Sequence, residues 1–350
     1  MDQQIRFCEV GAGRIAYATV GEGSPVVLPT WWMGHLELTW ENARFRRFVE
    51  ALASRHTVVR YDPLGTGLSE RARADADFSL AVELEVLGRV VAHAGLDRFS
   101  LLGFSSGGPL AIAYAAGHPE RITRLILYGA YADGGRITDE RTRQSLVHMV
   151  REHWGLGSRV LTSVFLPETE SEEARWFTEV QRRAADPAVA ARLLDLVYRL
   201  DVTAALADVL APTLVLHRRD DRTIPYELGV ELAAGIPEAE LRTLEGDLHF
   251  PWLGDTTSLL TAIGDFTHVG PYALPDVAAG APESEDRDPL SERECEVLAL
   301  VAEGLSDAEI AGRLILSPHT IHRHVANIRA KLGQPSRAAA VAEGSRRGLI

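Results

Sequence analysis

Short apolar runs rich in β-branched residues alternate with segments of helical period from residue 5 to residue 268. The strand candidates are Ile5–Val10, Arg14–Val20, Pro25–Pro29, Thr57–Tyr61, Phe99–Gly103, Ile122–Gly129, Thr213–His217 and Leu241–Leu244. The first two are close enough for an antiparallel hairpin. The later ones are separated by helical stretches such as Ser79–Ala94 and Ser106–Gly117. Such spacing needs crossover connections, so the pattern predicts an α/β fold with a mostly parallel sheet covered on both faces.

The alternation breaks twice. Residues 131–208 read as helical throughout, with Trp154, Phe165, Trp176, Phe177 and Tyr198 among charged residues. An insertion of that length between two strands sits on top of the sheet, as a cap over a pocket, or forms a helical subdomain of its own. Residues 271–288 then read as an extended, solvated linker, with Pro271, Pro275 and Pro282 among acids. Two domains are expected, 1–270 and 289–350.

The charge is divided in the same way. The formal net charge is −13 over 350 residues, which argues against nucleic-acid binding for the chain read whole. From Pro289 to Ile350, however, eight Arg or Lys face seven Asp or Glu, so the tail is spared the acidity. Cys8 and Cys295 are the only cysteines and fall in different expected domains. That excludes a disulfide framework and fits a reducing compartment. No apolar run reaches the roughly 20 residues that span a bilayer, and Met1-Asp2-Gln3-Gln4-Ile5-Arg6 lacks the features of an export signal. A soluble cytoplasmic protein is expected, with no membrane association, cofactor or metal.

Gly103-Phe104-Ser105-Ser106-Gly107 lies between a strand and a helix. A G-x-S-x-G in that setting is a nucleophile elbow. The serine holds a strained backbone that aims its hydroxyl outward, small neighbours let helix and strand approach, and the Ser106 N–H at the helix start can stabilise an oxyanion. Serine needs a base, and the base needs an orienting carboxylate. Asp221, just past the strand Thr213–His217 and ahead of Pro225, is the first choice for that acid, with Asp220 the fallback. His249 follows the next strand and is the candidate base. His268 follows a helix and reads as a surface residue.

With Asp62-Pro63-Leu64-Gly65-Thr66-Gly67-Leu68-Ser69 after the fourth strand, these pieces make residues 5–268 resemble the α/β-hydrolase superfamily. The resemblance implies a Ser105–Asp221–His249 triad and an α/β-hydrolase fold with a helical cap. It departs after the third strand, where many relatives carry His-Gly and this chain carries Pro29-Thr30-Trp31-Trp32. The second oxyanion donor is then the backbone N–H of Trp31. His35 either lines the pocket or is a hydrogen-bonded structural residue.

The tail carries two capping boxes, Ser291 with Glu294 and Ser306 with Glu309, and Ser317-Pro318 opens a third helix. A fourth runs from about Arg337 to Arg346. Two short helices joined by a brief turn suit a helix-turn-helix. On the third helix Ile321, Val325, Ile328 and Leu332 share one face. The other shows His319, Arg323, Ala326 and Ala330, with His322 and Asn327 at its sides, a surface that suits a major groove. A solvated face on a small dimerisation module is the alternative. Leu290-Ser291-Glu292-Arg293-Glu294, Glu303-Gly304-Leu305-Ser306, Glu309-Ile310-Ala311, Lys331-Leu332-Gly333 and Ser336-Arg337-Ala338 resemble the LuxR-type (GerE-like) DNA-binding domain. That resemblance implies base contacts from His322, Arg323 and Ala326, backbone contacts from Thr320, Lys331 and Arg337, and pairing through the fourth helix.

Together these readings lead to a homodimeric transcription regulator that binds double-stranded promoter DNA. Its first domain senses, and slowly hydrolyses, a small and mostly apolar ester or lactone. An active serine hydrolase with an accessory DNA-binding tail is the second reading, and a scaffold with an idle triad is the third.

Overall fold

The computed structural model describes residues 1–11, 13–71, 78–166, 171–272, 274, 290–314, 316–332, 334, 336–346 and 349. It divides into two compact units, Met1–Pro275 and Asp276–Ile350. Most of the expected linker, 271–288, lies outside the described residues.

All eight expected strands form, with ends within about two residues of expectation. They are β1 (Gln4–Val10), β2 (Gly13–Val20), β3 (Ser24–Leu28), β4 (His56–Tyr61), β5 (Phe99–Phe104), β6 (Ile122–Tyr128), β7 (Thr213–Arg218) and β8 (Glu240–Leu244). They make one sheet in the order β1-β2-β4-β3-β5-β6-β7-β8. The β1–β2 and β2–β4 pairs are antiparallel, and every pair from β4 to β8 is parallel. Both faces of the parallel strands are covered, which is why central β5 is buried at all six positions.

One face is covered by α3 (Leu80–His93), α4 (Gly107–Gly117) and α9 (Tyr226–Gly235), through Val86, Val90, Leu110, Ile112 and Leu232. The other is covered by α2 (Ala43–Ala53) and α10 (Thr256–Thr267), through Phe45, Phe48, Leu52, Leu259 and Ile263. A short α1 (Leu36–Glu41) precedes α2. Asn42 caps α2 by accepting the Phe45 N–H at 2.8 Å, an ordinary N-cap signal. His35 plays that part for α1 through Nδ1, accepting the Leu38 N–H at 3.5 Å. Histidine is not a usual cap, and the sequence reading did not find α1.

The stretch read as a cap holds α5 (Glu140–Glu152), α6 (Trp154–Phe165), α7 (Glu172–Ala184) and α8 (Pro187–Arg199). It belongs to the same compact unit as the sheet. Phe177 of α7 packs in the apolar cluster of the α2/α10 face, and Trp176 Nε1 donates to the Leu38 carbonyl at 3.3 Å. The helices are a lid on the domain, not a separate subdomain.

The second unit contains α11 (Glu292–Ala302), α12 (Asp307–Leu314), α13 (Pro318–Leu332) and α14 (Arg337–Arg346). The Ser291–Glu294 capping box opens α11. Leu298, Ile310, Ile321, Ile328, Leu332 and Ala340 form its core, with Val325 partly buried against it.

Candidate active site and DNA-reading surface

β5 ends at Phe104 and α4 begins at Gly107, so the chain reverses in two residues. Ser105 makes the turn at φ +51°, a left-handed conformation that costs an L-residue of order 1–3 kcal/mol. Its N–H donates to the Tyr128 carbonyl at 3.0 Å, and its carbonyl accepts the Gly108 N–H at 2.9 Å. Gly107 admits no side chain, since a Cβ there would sit 2.8 Å from the Pro29 carbonyl oxygen. That contact brings the end of β3 against the elbow. Ser106 contributes more than its backbone: its Oγ accepts the Trp32 N–H at 2.6 Å and pins the loop that carries Trp31. The sequence reading did not foresee this bond.

His249 and Asp221 meet at the same end of the sheet. Asp221 Oδ2 accepts from His249 Nδ1 at 2.7 Å, and Asp221 Oδ1 accepts the Thr223 and Ile224 N–H groups at 2.9 and 3.1 Å. The fallback, Asp220, is exposed, and so is His268. Burial would raise the Asp221 carboxyl. The charge and hydrogen bond of His249, with His217 and the Ile224 N–H, outweigh it and hold the carboxyl below the ordinary aspartate value. Because Nδ1–H points at the carboxylate, the His249 lone pair lies on Nε2, which has no protein partner among the described residues. That tautomer can take a proton from a serine hydroxyl. Gly129, at φ +53°, follows the residue whose carbonyl holds Ser105. A Cβ there would lie 3.0 Å from His249 Cε1, so the turn after β6 sits against the imidazole, while the Ser105 hydroxyl makes no hydrogen bond to His249 among the described residues.

His217 is a group the sequence reading passed over. It is fully buried, and its Nε2 lies 2.9 Å from the Ile224 carbonyl and 3.8 Å from Asp221 Oδ2. Burial lowers its pKa, only partly opposed by Asp221, so it backs the acid loop as a neutral ring.

Aromatic side chains surround the triad. Trp31 packs edge-on against Phe104 with centroids 4.6 Å apart, and lies tilted by 30° against Trp252 at 4.9 Å. Phe165, at the end of α6, stacks on Phe250 at 5.5 Å and lies 5.7 Å from the His249 ring. The cap therefore reaches the base itself. Glu173 of α7 accepts from Asn42 Nδ2 at 3.0 Å and Trp252 Nε1 at 3.3 Å, tying the cap to this wall.

On the other side of the elbow, Ser106, Trp32, Thr30 and Glu83 line a cavity of about 40 Å³ beneath Leu193 and Leu196 of α8. Burial pushes the Glu83 carboxyl up to about 7. A raised folded-state pKa favours the neutral acid. The stability from this group is complete below the ordinary glutamate value of 4.5 and is lost as the pH rises through about 7. Glu83→Gln is neutral at every pH. By thermal melting it is expected to raise Tm at pH 8 and to leave it nearly unchanged at pH 4.5. Equal shifts at both pH values would show that the carboxyl carries no such burden.

In the second unit, α13 buries Ile321, Ile328 and Leu332 and leaves His322, Arg323, Ala326 and Asn327 exposed. Thr320 is half-buried, with its hydroxyl 2.7 Å from Ser317 Oγ. The other two expected backbone contacts are engaged within the unit. Lys331 donates to Glu294 at 2.9 Å, and Arg337 donates to Asp307 and to the Leu305 carbonyl. His322 Nδ1 lies 3.5 Å from Asp307 Oδ2. Asp307 thus joins α12 to α13 and α14. Among the described residues no cluster of three or more His, Cys, Asp or Glu could hold a metal, and no helix is long and apolar enough to cross a membrane.

Comparison with known proteins fits this geometry. Residues 25–152 match the family described as alpha/beta hydrolase fold. A putative carbamate hydrolase, RutD, of Rhizobium rhizogenes is 30% identical over 217 residues, covering 57% of this chain and 78% of the relative. The chain belongs to the α/β-hydrolase family. Residues 288–343 of this hydrolase-family protein match the family described as bacterial regulatory proteins, luxR family, so its second unit is a LuxR-type helix-turn-helix domain. The 2-hydroxymuconate semialdehyde hydrolase of a Pseudomonas species is 28% identical over 240 residues, covering 64% of this chain and 81% of the relative. The crystal structure of an enol-lactonase from Burkholderia xenovorans superposes on the hydrolase domain with a TM-score of 0.65 at 20% identity. It covers 75% of this chain and 100% of its own, and shows the shared fold.

Proposed function

We propose that this protein is a DNA-binding transcription regulator whose hydrolase domain binds, and slowly hydrolyses, a small and mostly apolar ester or lactone. The observation that carries the reading is the fusion of a capped Ser105–His249–Asp221 site with a LuxR-type domain whose α13 exposes His322, Arg323 and Ala326. In the chemical step, Ser105 Oγ attacks the carbonyl carbon and His249 Nε2 takes its proton. The N–H groups of Trp31 and Ser106 receive the oxyanion, and Asp221 orients the imidazole. The oxyanion collapses and breaks the ester C–O bond as His249 returns its proton to the departing alcohol. Water then adds to the acyl carbon with His249 as base again, and the second collapse releases the acid and gives the proton back to Ser105 Oγ. On DNA, His322, Arg323 and Ala326 touch base edges while Thr320, Lys331 and Arg337 face the phosphates. Two copies of the chain engage two half-sites. The relatives named as hydrolases support the chemistry, and the LuxR-type match supports DNA as the partner.

The test is selection of genomic fragments by the full-length protein at moderate salt, followed by footprinting. A shared, two-fold-related sequence is expected. Binding that remains uniform across fragments would defeat the regulator reading. A second reading, a serine hydrolase with an accessory DNA-binding tail, is favoured by the intact His249–Asp221 bond. It predicts steady turnover of short-chain esters that is insensitive to promoter DNA.

A further inference from the structure

Arg60 of β4 is only 7% exposed, and no carboxylate comes within 4 Å of it among the described residues. Its Nη1 donates to Thr39 Oγ1 at a long 3.3 Å and its Nη2 to Gln3 Oε1 at 2.6 Å, while Nε has no hydrogen-bond partner among the described residues. Trp40 and Phe45 cover its plane, with centroids 5.3 and 4.9 Å from the guanidinium carbon. The nearest acid along the strand, Asp62, spends its Oδ2 on the Leu36 and Leu68 N–H groups at 3.1 and 2.9 Å. Asp62 is close enough for its charge to favour the guanidinium but makes no ion pair with it, and a buried guanidinium with five N–H donors is costly when donors stay unmet.

This side chain lines a cavity between the sheet and helices α1, α2 and α10. The other walls include Leu102, Phe48, Trp252, Leu259 and Ile263. Neither Ser105 nor His249 lines it; Trp31 and Phe104 stand between. The space open to the centre of a water molecule is about 60 Å³. At roughly 10–15 Å³ per water that is about four to six waters, close to the bulk of a six-carbon chain. His35 and Asp62 also line this mostly apolar chamber, but Asp62 Oδ2 is held by two backbone N–H groups and Arg60 keeps a donor unspent, so the guanidinium selects a ligand with one anionic end and an apolar body.

We infer that this cavity is a second ligand site, separate from the triad, that takes a small apolar monocarboxylate with its carboxylate on Arg60. The inference deepens the ligand-sensing reading and rests on it only for the link to DNA. Ligand binding itself requires neither Ser105 nor the LuxR-type domain.

The experiment is calorimetric titration of the full-length protein with hexanoate and with hexanamide, its neutral match in size. Saturable hexanoate binding at least tenfold tighter than hexanamide is expected. Ser105→Ala should leave both affinities unchanged. Arg60→Met should remove the preference for the acid while hexanamide still binds. If Arg60→Met does not fold, the comparison of the two ligands on the unaltered protein still decides, and Leu102→Trp, which fills the chamber, should abolish both. Equal affinities, binding of neither ligand, or loss of hexanoate binding in Ser105→Ala would each overturn the proposal. The last of these would place the ligand at the triad and leave the sensing reading intact. Loss of specific DNA binding with hexanoate still bound would do the reverse.

Discussion

Ser105→Ala is expected to abolish labelling of the protein by a fluorophosphonate, and His249→Ala to slow labelling by about 10²–10⁴-fold, the usual worth of a positioned general base. The reason is the state of the site before any substrate arrives. The serine is already held in its strained turn by the Tyr128 carbonyl, and the imidazole is already oriented by Asp221 at 2.7 Å. No rearrangement of the pair is needed to place the lone pair on Nε2. Asp221→Asn should give a rate nearer the His249→Ala value than the unaltered one, because an amide no longer holds the Nδ1–H tautomer. The Thr223 and Ile224 N–H groups point at the same side chain, so an asparagine that satisfies them with its carbonyl turns its NH₂ toward the histidine. Mass spectrometry of the intact protein after labelling reads all three variants. Labelling at any residue other than Ser105, or full labelling of His249→Ala, would remove the nucleophile assignment.

Arg323→Ala is expected to weaken binding to the selected promoter site by about 1–3 kcal/mol, or roughly 5–150-fold, and to relax base preference at one position in each half-site. Arg323 is exposed on α13, opposite the buried Ile321 and Ile328, where a base edge can reach it. Lys331→Ala should behave differently. Lys331 is paired with Glu294, the acid of the capping box that starts α11. Its loss weakens the domain as well as any phosphate contact. Binding should fall by a similar factor on every sequence, the dependence of binding on salt should become shallower, and Tm should drop. Footprinting and melting curves separate the two outcomes. An Arg323→Ala protein that binds its site unchanged would mean that α13 does not read the groove through that face.

Much of the fold was legible because burial on both faces of a parallel strand leaves a short, uninterrupted apolar run. Central β5 is such a run, whereas β1 and β8 are more polar and more exposed; all eight expected segments still became strands of one sheet, with ends moved by only a residue or two. The elbow was legible for a related reason. Glycines at 103 and 107 are demanded by backbone contacts across the turn, and such demands leave their mark in the text itself. The choice of Asp221 over Asp220 rested on its place past a strand and ahead of Pro225, and the structure leaves Asp220 exposed and Asp221 buried. The short α1 was not legible, because its cap is a histidine and six residues carry little periodicity.

The order of strands and helices, the elbow at Ser105, the candidate acid and base, and the second domain were legible in local chemistry: periodicity, turn residues and caps. Which side chains meet across the sheet was decided only by the fold. Ser106 Oγ on the Trp32 amide, Phe165 over His249, Gly129 beneath the imidazole and Arg60 on Thr39 and Gln3 all join residues from separate elements. Such contacts depend on how layers stack, and stacking is the sum of many weak packing choices that no single stretch of sequence contains.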